Sequence, residues 1–330
     1  MPKHFLLVDG NSIAHANHNA TPLTVGDFQV QAIFGFLRSI HAMLEKTPGD
    51  KEVIVLWDGR AQWRIDLYPE YKGNRAPMDA KQEAHKAAFK KQTPFIEKAL
   101  DFLGIKQFRS PLLEADDLAG YFSRALSAQG HKVTLVSGDR DWITCVDENV
   151  TWFDPIRDRK VDLDNLLEFT GYFTTDAYVQ GKALMGDGSD NIKGVTGLGE
   201  KGAAKFLAEH GDVREFFRRI DAGEYTPKKR ASKTATSPHP EEFLASPEGR
   251  AIFERNVKLM DLRQSRRPEK GEVIINQGHP DPERFLLICE RLAFASILNK
   301  RRQFLSTFGL ELPEAGPAPA PESVAPPPWA

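Results

Sequence analysis

Phe5-Leu-Leu-Val-Asp9-Gly10 is a short apolar run that ends in an acid and a glycine. It reads as a buried strand with Asp9 at its carboxyl end. The pattern returns twice, in Glu52-Val-Ile-Val-Leu-Trp-Asp58-Gly59 and in Lys132-Val-Thr-Leu-Val-Ser-Gly-Asp139-Arg-Asp141. Between the first two runs, Phe28 to Lys46 carries apolar residues at helical spacing. Buried strands alternating with helices predict an α/β fold with a mostly parallel central sheet flanked by helices. Ligands of such sheets sit outside the carboxyl ends of the strands. Asp9, Asp58, Asp139 and Asp141 all fall there. One acid after a strand is ordinary turn or cap chemistry; three strands that each end in acid are not.

Two further segments add acids. Glu114-Ala-Asp116-Asp117 opens a helical stretch that runs to about Ala128. Acids in a first helical turn complement the dipole, but three in four positions repel one another. Met185-Gly-Asp187-Gly-Ser-Asp190-Asn then places two acids three residues apart at the end of an apolar helical run, where they are expected to share a helix face and hold a hard cation. Directly after them come Gly194, Gly197, Gly199, Lys201 and Gly202, before a helix expected over Ala203 to His210. Glycines ahead of a helix let backbone N–H groups approach a phosphate.

Composition limits the function classes. The chain has 330 residues, 41% hydrophobic and 27% charged, enough for a large core and two packed units. No apolar run approaches membrane-spanning length, and Met1-Pro-Lys-His lacks a signal-peptide pattern. Two cysteines, Cys145 and Cys289, form no disulfide or zinc framework, so a reducing cytoplasm is the expected location. His15 and His18 are read as loop residues, not zinc ligands. The net charge of −2 conceals an asymmetry. Without the nine acids named above, 44 basic side chains face 37 acidic ones. An acidic pit in a basic surface suits a magnesium nuclease.

Residues 60–109 hold 11 Lys/Arg against 6 Asp/Glu. This span includes Tyr71, Lys72 and Arg75 and a polar helical stretch with Lys81, Lys86, Lys90, Lys91 and Lys98. Alone it would be a solvated face; beside a carboxylate cluster it reads as a nucleic-acid contact. Further on, Ala222 to Glu241 is read as a mobile polar insertion. Pro247 to Leu262 and Pro282 to Phe308 are read as helices completing a second unit. The Pro/Ala-rich tail, 313–330, is expected to be disordered.

The chemistry follows from the oxygens. Two carboxylates 5 Å apart repel by roughly 3 kcal/mol at an effective dielectric of 20. Such a cluster calls for divalent cations or strongly raised pKa values. An all-oxygen set favours Mg²⁺, with Mn²⁺ as substitute, over zinc. Two such ions suit in-line attack on a phosphodiester.

At these residues the chain resembles the 5′ nuclease family. That family comprises flap endonucleases, the 5′–3′ exonuclease domain of bacterial DNA polymerase I and the stand-alone bacteriophage enzymes. The matching segments are Val-Asp9-Gly-Asn, Asp58-Gly, Pro-Glu-Tyr71-Lys72-Gly-Asn-Arg75, Glu114-Ala-Asp116-Asp117, Gly-Asp139-Arg-Asp141, Met-Gly-Asp187-Gly-Ser-Asp190-Asn and Gly194-Val-Thr-Gly197-Leu-Gly199. They stand in family order over about residues 5–210. The resemblance implies a PIN-like nuclease core over 1–180 that includes a helical arch at about 68–110. It implies a helix–three-turn–helix DNA-binding unit within 181–312. It divides the acids into a first metal group of Asp9, Asp58, Glu114, Asp116 and Asp117 and a second of Asp139, Asp141, Asp187 and Asp190. Lys72 and Arg75 are implied to contact the scissile phosphate, with Tyr71 beside them at the base of the arch. The glycine turn is implied to bind duplex backbone, with K⁺ on its carbonyls.

The implied activity is structure-specific hydrolysis of DNA at 5′ flaps, nicks or 5′ ends, in replication or repair. The implied partner is branched or nicked duplex DNA with a 5′ single strand; RNA–DNA hybrid is a further candidate. A monomer is expected. No polymerase domain follows, which suggests a free-standing enzyme of bacteriophage origin. The alternative is a catalytically inactive DNA-junction-binding protein of the same fold, against which the complete acid set argues. A phosphatase of another α/β class would need neither the basic arm nor the glycine turn.

Overall fold

The computed structural model describes residues 2–46, 49, 51–74, 79–230 and 237–312. Arg75, residues 231–236 of the expected insertion and the whole 313–330 tail lie outside the described residues. The strands are β1 (His4–Asp9), β2 (Thr24–Val25), β3 (Phe28–Gln29), β4 (Lys51–Trp57), β5 (Lys106–Arg109), β6 (Lys132–Val136), β7 (Val150–Asp154), β8 (Arg159–Val161), β9 (Gly186–Asp187), β10 (Ile192–Lys193) and β11 (Ile274–Asn276). The first seven helices are α1 (Gly10–His18), α2 (Gln31–Lys46), α3 (Gln62–Leu67), α4 (Ala80–Phe102), α5 (Ala115–Ser127), α6 (Leu166–Thr170) and α7 (Thr175–Met185). They are followed by α8 (Glu200–His210), α9 (Val213–Asp221), α10 (Pro240–Ala245), α11 (Pro247–Met260), α12 (Pro282–Arg291), α13 (Ala295–Leu298) and α14 (Arg301–Ser306).

Seven strands form one sheet in the order β11-β5-β4-β1-β6-β7-β8. The five inner strands run parallel; β11 and β8 are antiparallel at the two edges. β1 is central, paired with β4 on one side and β6 on the other. Its side chains alternate: Phe5 and Leu7 join one core, Leu6 and Val8 the other. That is why all four had to be apolar, since helices cover both faces. The expected α/β fold with a mostly parallel sheet is the fold observed.

The cores do not divide at residue 180. One face of the sheet packs with α5, α7, α8, α9 and α11 in a single cluster that joins Leu7 and Leu135 to Phe206, Phe216 and Phe253. The other face packs with α2, the second half of α4, and α12 to α14, through Phe36, Ile96, Phe285 and Phe304. The helices after Pro282 therefore cover the face opposite α8–α11, and do not complete a second unit. One helix boundary and one helix's burial also differ from expectation. α2 begins at Gln31, because Phe28–Gln29 pairs with Thr24–Val25 in a small hairpin. Within the span expected as an arch, α4 is solvent-facing at Lys81 and Lys86 but buried at Phe89, Ile96 and Leu100.

Candidate active site

The carboxyl ends of β1, β4 and β6 lie side by side, so their acids converge. Asp9, Asp58, Glu114, Asp116 and Asp139 line one cleft of about 220 Å³ together with Asn11, Ser12, His15 and Lys72. Each acid is aimed by a neighbour. Asp9 accepts from Ser12 N at 2.8 Å and from the Ser137 hydroxyl at 2.7 Å. Asp58 accepts from Ala115 N at 2.9 Å, while Asn11 Oδ1 receives the Asp58 amide at 3.2 Å. Trp142 Nε1 donates to Asp116 at 2.7 Å, and Asp141 N donates to Asp139 at 2.8 Å.

Crowding shows in the proton affinities. Burial, then repulsion by Asp58, raises Asp9 to about 7. Asp139 is raised to about 6 by loss of hydration and by Asp141. Asp58 is raised by loss of hydration and, among its neighbours, by Glu114; Asp116 is raised by burial and by Asp139, Asp58 and Asp9. These are groups that a cation would return to their ionised form. Among the described residues, Glu209, His210 and Glu241 are the only three metal-binding side chains whose ligand atoms all lie within 4.8 Å of one another. The cleft acids stand wider. That spacing suits Mg²⁺, which keeps several of its waters, and the donor set is all oxygen. The residues present fit such an ion.

The remaining acids divide differently from the expected two groups. Asp139 belongs to the cleft of Asp9 and also to the adjoining hollow with Asp141, Tyr178 and Lys182. Lys182 ion-pairs with Asp141, which, with Tyr178 and Asp139, keeps its charge firmly bound despite burial. Lys182 escaped the sequence reading; the signal available was one lysine inside the apolar run just before Asp187. Asp187 and Asp190 do not share a helix face. Gly186, at φ 73°, ends α7, and a Cβ there would meet Ile192 O at 2.3 Å. The two acids instead sit in the β9–β10 hairpin. Asp187 turns onto Ser189, accepting from its N at 2.7 Å and its hydroxyl at 2.6 Å. Asp190 faces Tyr71 and Lys72.

Asp117 is not a cleft residue. It is fully buried and holds Arg64, Nη2 to Oδ1 at 2.8 Å and Nη1 to Oδ2 at 2.9 Å, while Trp63 Nε1 donates to it at 3.3 Å. Its Oδ2 also caps the Glu114 amide at 3.0 Å. The geometry removes it from the expected ligands: it positions Glu114 and Arg64, and Arg64 in turn donates to Glu114 Oε2 at 3.1 Å.

Lys72 lies at the mouth of the cleft. Its ammonium is 2.7 Å from Glu114 Oε1 and 3.9 Å from Asp190. Its backbone has φ 56° and its amide donates to Asp190 O at 2.9 Å. Asn191 Nδ2 to Glu70 O (2.7 Å) and Asn74 Nδ2 to Gly188 O (2.8 Å) stitch the same two turns together. Tyr71 is buried; its hydroxyl lies 3.0 Å from Glu114 Oε2 and 3.2 Å from Asp190 Oδ2. Burial, with Glu114 and Asp190, keeps that hydroxyl protonated, so it acts as a donor to the acids.

In the glycine turn, a Cβ at Gly194 would meet Met185 O at 2.1 Å, and Gly197 has φ 85°. The fold requires both. Gly199 caps α8 with φ −83°, and a Cβ there would meet nothing within 4 Å. At Gly202 the nearest atom would be 3.5 Å away. Lys201 is exposed on the first turn of α8. His15 and His18 lie on α1, not in a loop: His15 stacks on Phe89 at 3.8 Å, and buried His18 faces His85 O at 3.1 Å.

A mostly parallel sheet with a carboxylate cleft at the carboxyl ends of its central strands defines an acid-lined α/β nuclease core of the resolvase-like PIN type. Residues 4–171 match the 5′-3′ exonuclease N-terminal resolvase-like domain, and residues 173–246 match the 5′-3′ exonuclease C-terminal SAM fold. The chain belongs to the 5′–3′ exonuclease family. It is 30% identical over 324 residues to the thermostable DNA polymerase I of Thermus filiformis, covering 97% of this chain and 35% of that protein. It is 33% identical over 234 residues to DNA polymerase I of Streptococcus pneumoniae, 66% of this chain and 25% of that one. The chain thus spans about a quarter to a third of the curated relatives. Among solved structures it resembles the T5 5′-exonuclease with bound zinc (TM-score 0.64, 23% identity, 93% of this chain and 98% of that one). It also resembles the catalytic core of Rad2 in complex with DNA substrate (TM-score 0.52, 16% identity, 93% and 91%). At these identities the likeness establishes the fold.

Proposed function

We propose that this chain is a divalent-cation-dependent, structure-specific 5′ nuclease that hydrolyses DNA phosphodiesters at 5′ flaps, nicks or 5′ ends. The observation that carries this reading is the convergence of Asp9, Asp58, Glu114, Asp116 and Asp139 with Lys72 in one cleft at the strand ends. Family membership and the Rad2 complex with DNA support DNA as substrate. Mg²⁺ is the proposed ion, Mn²⁺ its substitute, held by Asp9, Asp58, Glu114, Asp116, Asp139 and Asp141, with Asp187 and Asp190 at the edge. Such ions supply charge neutralisation at the reacting phosphate and an activated water.

The protein's own groups orient and hold. Asp9, Asp116 and Asp139 are fixed by the Ser137 hydroxyl, Trp142 and the Asp141 amide. Lys182 ion-pairs with Asp141 and aligns it. Lys72 exchanges Glu114 for a phosphate oxygen when DNA enters, and stabilises the charge that builds there. Arg75 is proposed to join it.

The glycine turn is proposed to bind the duplex backbone. At Gly199 and Gly202 the fold leaves room for a side chain, yet none is present, which suits close approach of a phosphate to the N-terminus of α8. Lys201 would pair with the same strand, and K⁺ is proposed on the turn's carbonyls. The proposed partner is branched or nicked DNA, with RNA–DNA hybrid as a further substrate, bound by a monomer. A 5′-labelled flap substrate, incubated with and without Mg²⁺ and run on a denaturing gel, tests the reading. A short labelled product that requires Mg²⁺ supports it; intact label in both lanes refutes it.

A further inference from the structure

At the far end of α8, about 16 Å along the helix from the glycine turn, a second ligand cluster has no part in the nuclease site. His210 ends α8, Glu209 precedes it, and Glu241 stands in the first turn of α10. Their ligand atoms all lie within 4.8 Å of one another. His210 is the unusual member. Its side chain is 2% exposed, yet neither ring nitrogen makes a hydrogen bond among the described residues. The ring is walled by Phe206, Phe216 and Tyr225, with centroids 4.6, 4.8 and 5.2 Å away. A buried, unsatisfied imidazole costs stability, and this one points at a carboxylate.

Glu241 is arranged to match. Its Oε2 accepts from the Tyr225 hydroxyl at 2.8 Å and from Lys228 N at 3.0 Å. Its Oε1 is turned inward, 3.5 Å from His210 Nε2. Tetrahedral ligands with bonds of about 2.1 Å stand about 3.4 Å apart, so this pair already has the required separation. Glu209, 42% exposed, supplies the third edge. A cation bridges the two carboxylates: the Lys228 ammonium ion-pairs with Glu209 and lies 3.1 Å from Glu241 Oε1.

We propose that His210, Glu209 and Glu241 form a binding site for a borderline divalent transition-metal cation of the zinc and cobalt class, which Lys228 fills when the ion is absent. Imidazole with carboxylates selects such ions over Mg²⁺, so this site and the acid cleft differ in metal preference. The bound ion takes the place of the ammonium and pins residues 225–228 to the end of α8. The site does not depend on the nuclease reading.

Cobalt titration of the full chain, followed by visible absorption, tests the proposal. A four-coordinate nitrogen–oxygen site gives intense bands, whereas Co²⁺ in the all-oxygen cleft gives faint ones. The intense bands should appear in the wild-type protein and vanish in His210→Gln. Glu209→Gln alters an exposed side chain and leaves the fold intact; it should weaken Co²⁺ binding by at least ~10-fold, the loss expected even for a partner outside the ligand set. Lys228→Met removes the competing ammonium and should tighten binding, also by ~10-fold or more. Zn²⁺ should raise the melting temperature of wild type more than that of Glu209→Gln. Absence of intense bands in wild type overturns the site, as does a Co²⁺ affinity that neither Glu209→Gln nor Lys228→Met changes.

Discussion

The Lys72 ammonium lies 2.7 Å from Glu114 Oε1, so the cation expected at the scissile phosphate rests on one of the acids expected at the metal. Burial opposes its charge, but Glu114, with help from Asp190, outweighs this and raises its pKa. Lys72 is therefore charged and pre-positioned before substrate arrives. A donor at the reacting phosphate acts on the transition state. Lys72→Ala should slow single-turnover cleavage by ~100-fold or more, with little change in Kd. Normal cleavage at saturating enzyme would remove Lys72 from the reacting phosphate.

Lys201 is exposed on the first turn of α8 and lines neither the acid cleft nor the adjoining hollow. A contact to a remote phosphate acts about equally on ground and transition states. Lys201→Ala should weaken DNA binding and flatten its salt dependence by about one phosphate contact, with near-normal cleavage at saturation. Binding titrations at two salt concentrations check this. Slow cleavage with normal binding would place the glycine turn nearer the chemistry than proposed.

Asp9 predicts a pH effect. Its folded pKa of about 7 stands above the unfolded value of about 3.9. Between those values the folded chain holds a proton that the unfolded chain has lost, so metal-free stability falls as pH rises through that window. Asp9→Asn should make the metal-free protein more stable at pH 8, by up to about 4 kcal/mol, and the gain should shrink towards pH 4. Mg²⁺ should reverse the order at pH 8. Denaturant melts with chelator and with Mg²⁺ would show it; an Asp9→Asn protein less stable than wild type in chelator at pH 8 would contradict it.

Asp117 and Asp116 are neighbours with separate tasks. Removing one partner of a buried ion pair costs about 3–5 kcal/mol, so Asp117→Ala should lower stability by that order. Its Mg²⁺ requirement for cleavage, at a temperature where it is folded, should rise by no more than ~10-fold, the effect of losing a residue that orients the ligand Glu114. Asp116→Asn should show the reverse, with a raised Mg²⁺ requirement and little loss of stability. An Asp117→Ala protein as stable as wild type but starved of metal would restore Asp117 to the ligands.

The parts of the fold legible in sequence were those fixed by local pattern. β1, β4 and β6 could be read because strands buried on both faces are apolar throughout, and their acids mark the strand ends. What could not be read depends on distant chain. Three acids in one turn of α5 do not reveal which faces inward; Trp63 and Arg64 decide that for Asp117. The spacing of Asp187 and Asp190 fits a helix as well as a hairpin, and the close approach of Ile192 O to Gly186 selects the hairpin. Ala222 to Arg230 reads as a polar insertion, yet Tyr225 and Lys228 are tied to Glu241. β11 is three residues long, with Ile274 and Ile275 exposed, so it carries no alternation to recognise. The side of the sheet taken by α12–α14 is a topological choice that helical periodicity does not encode.

In the proposed mechanism the acid cleft performs the cleavage while the turn and the basic arm hold the DNA. The most direct test is the double variant Asp139→Asn/Asp141→Asn, in which both acids keep their shape and lose their charge. It should be assayed with a 5′-labelled flap substrate in Mg²⁺ under single-turnover conditions, beside a binding titration. No detectable cleavage and a Kd within ~3-fold of wild type are expected, because binding lies outside the acids. Cleavage near the wild-type rate, or binding that collapses together with cleavage in a folded protein, would contradict it.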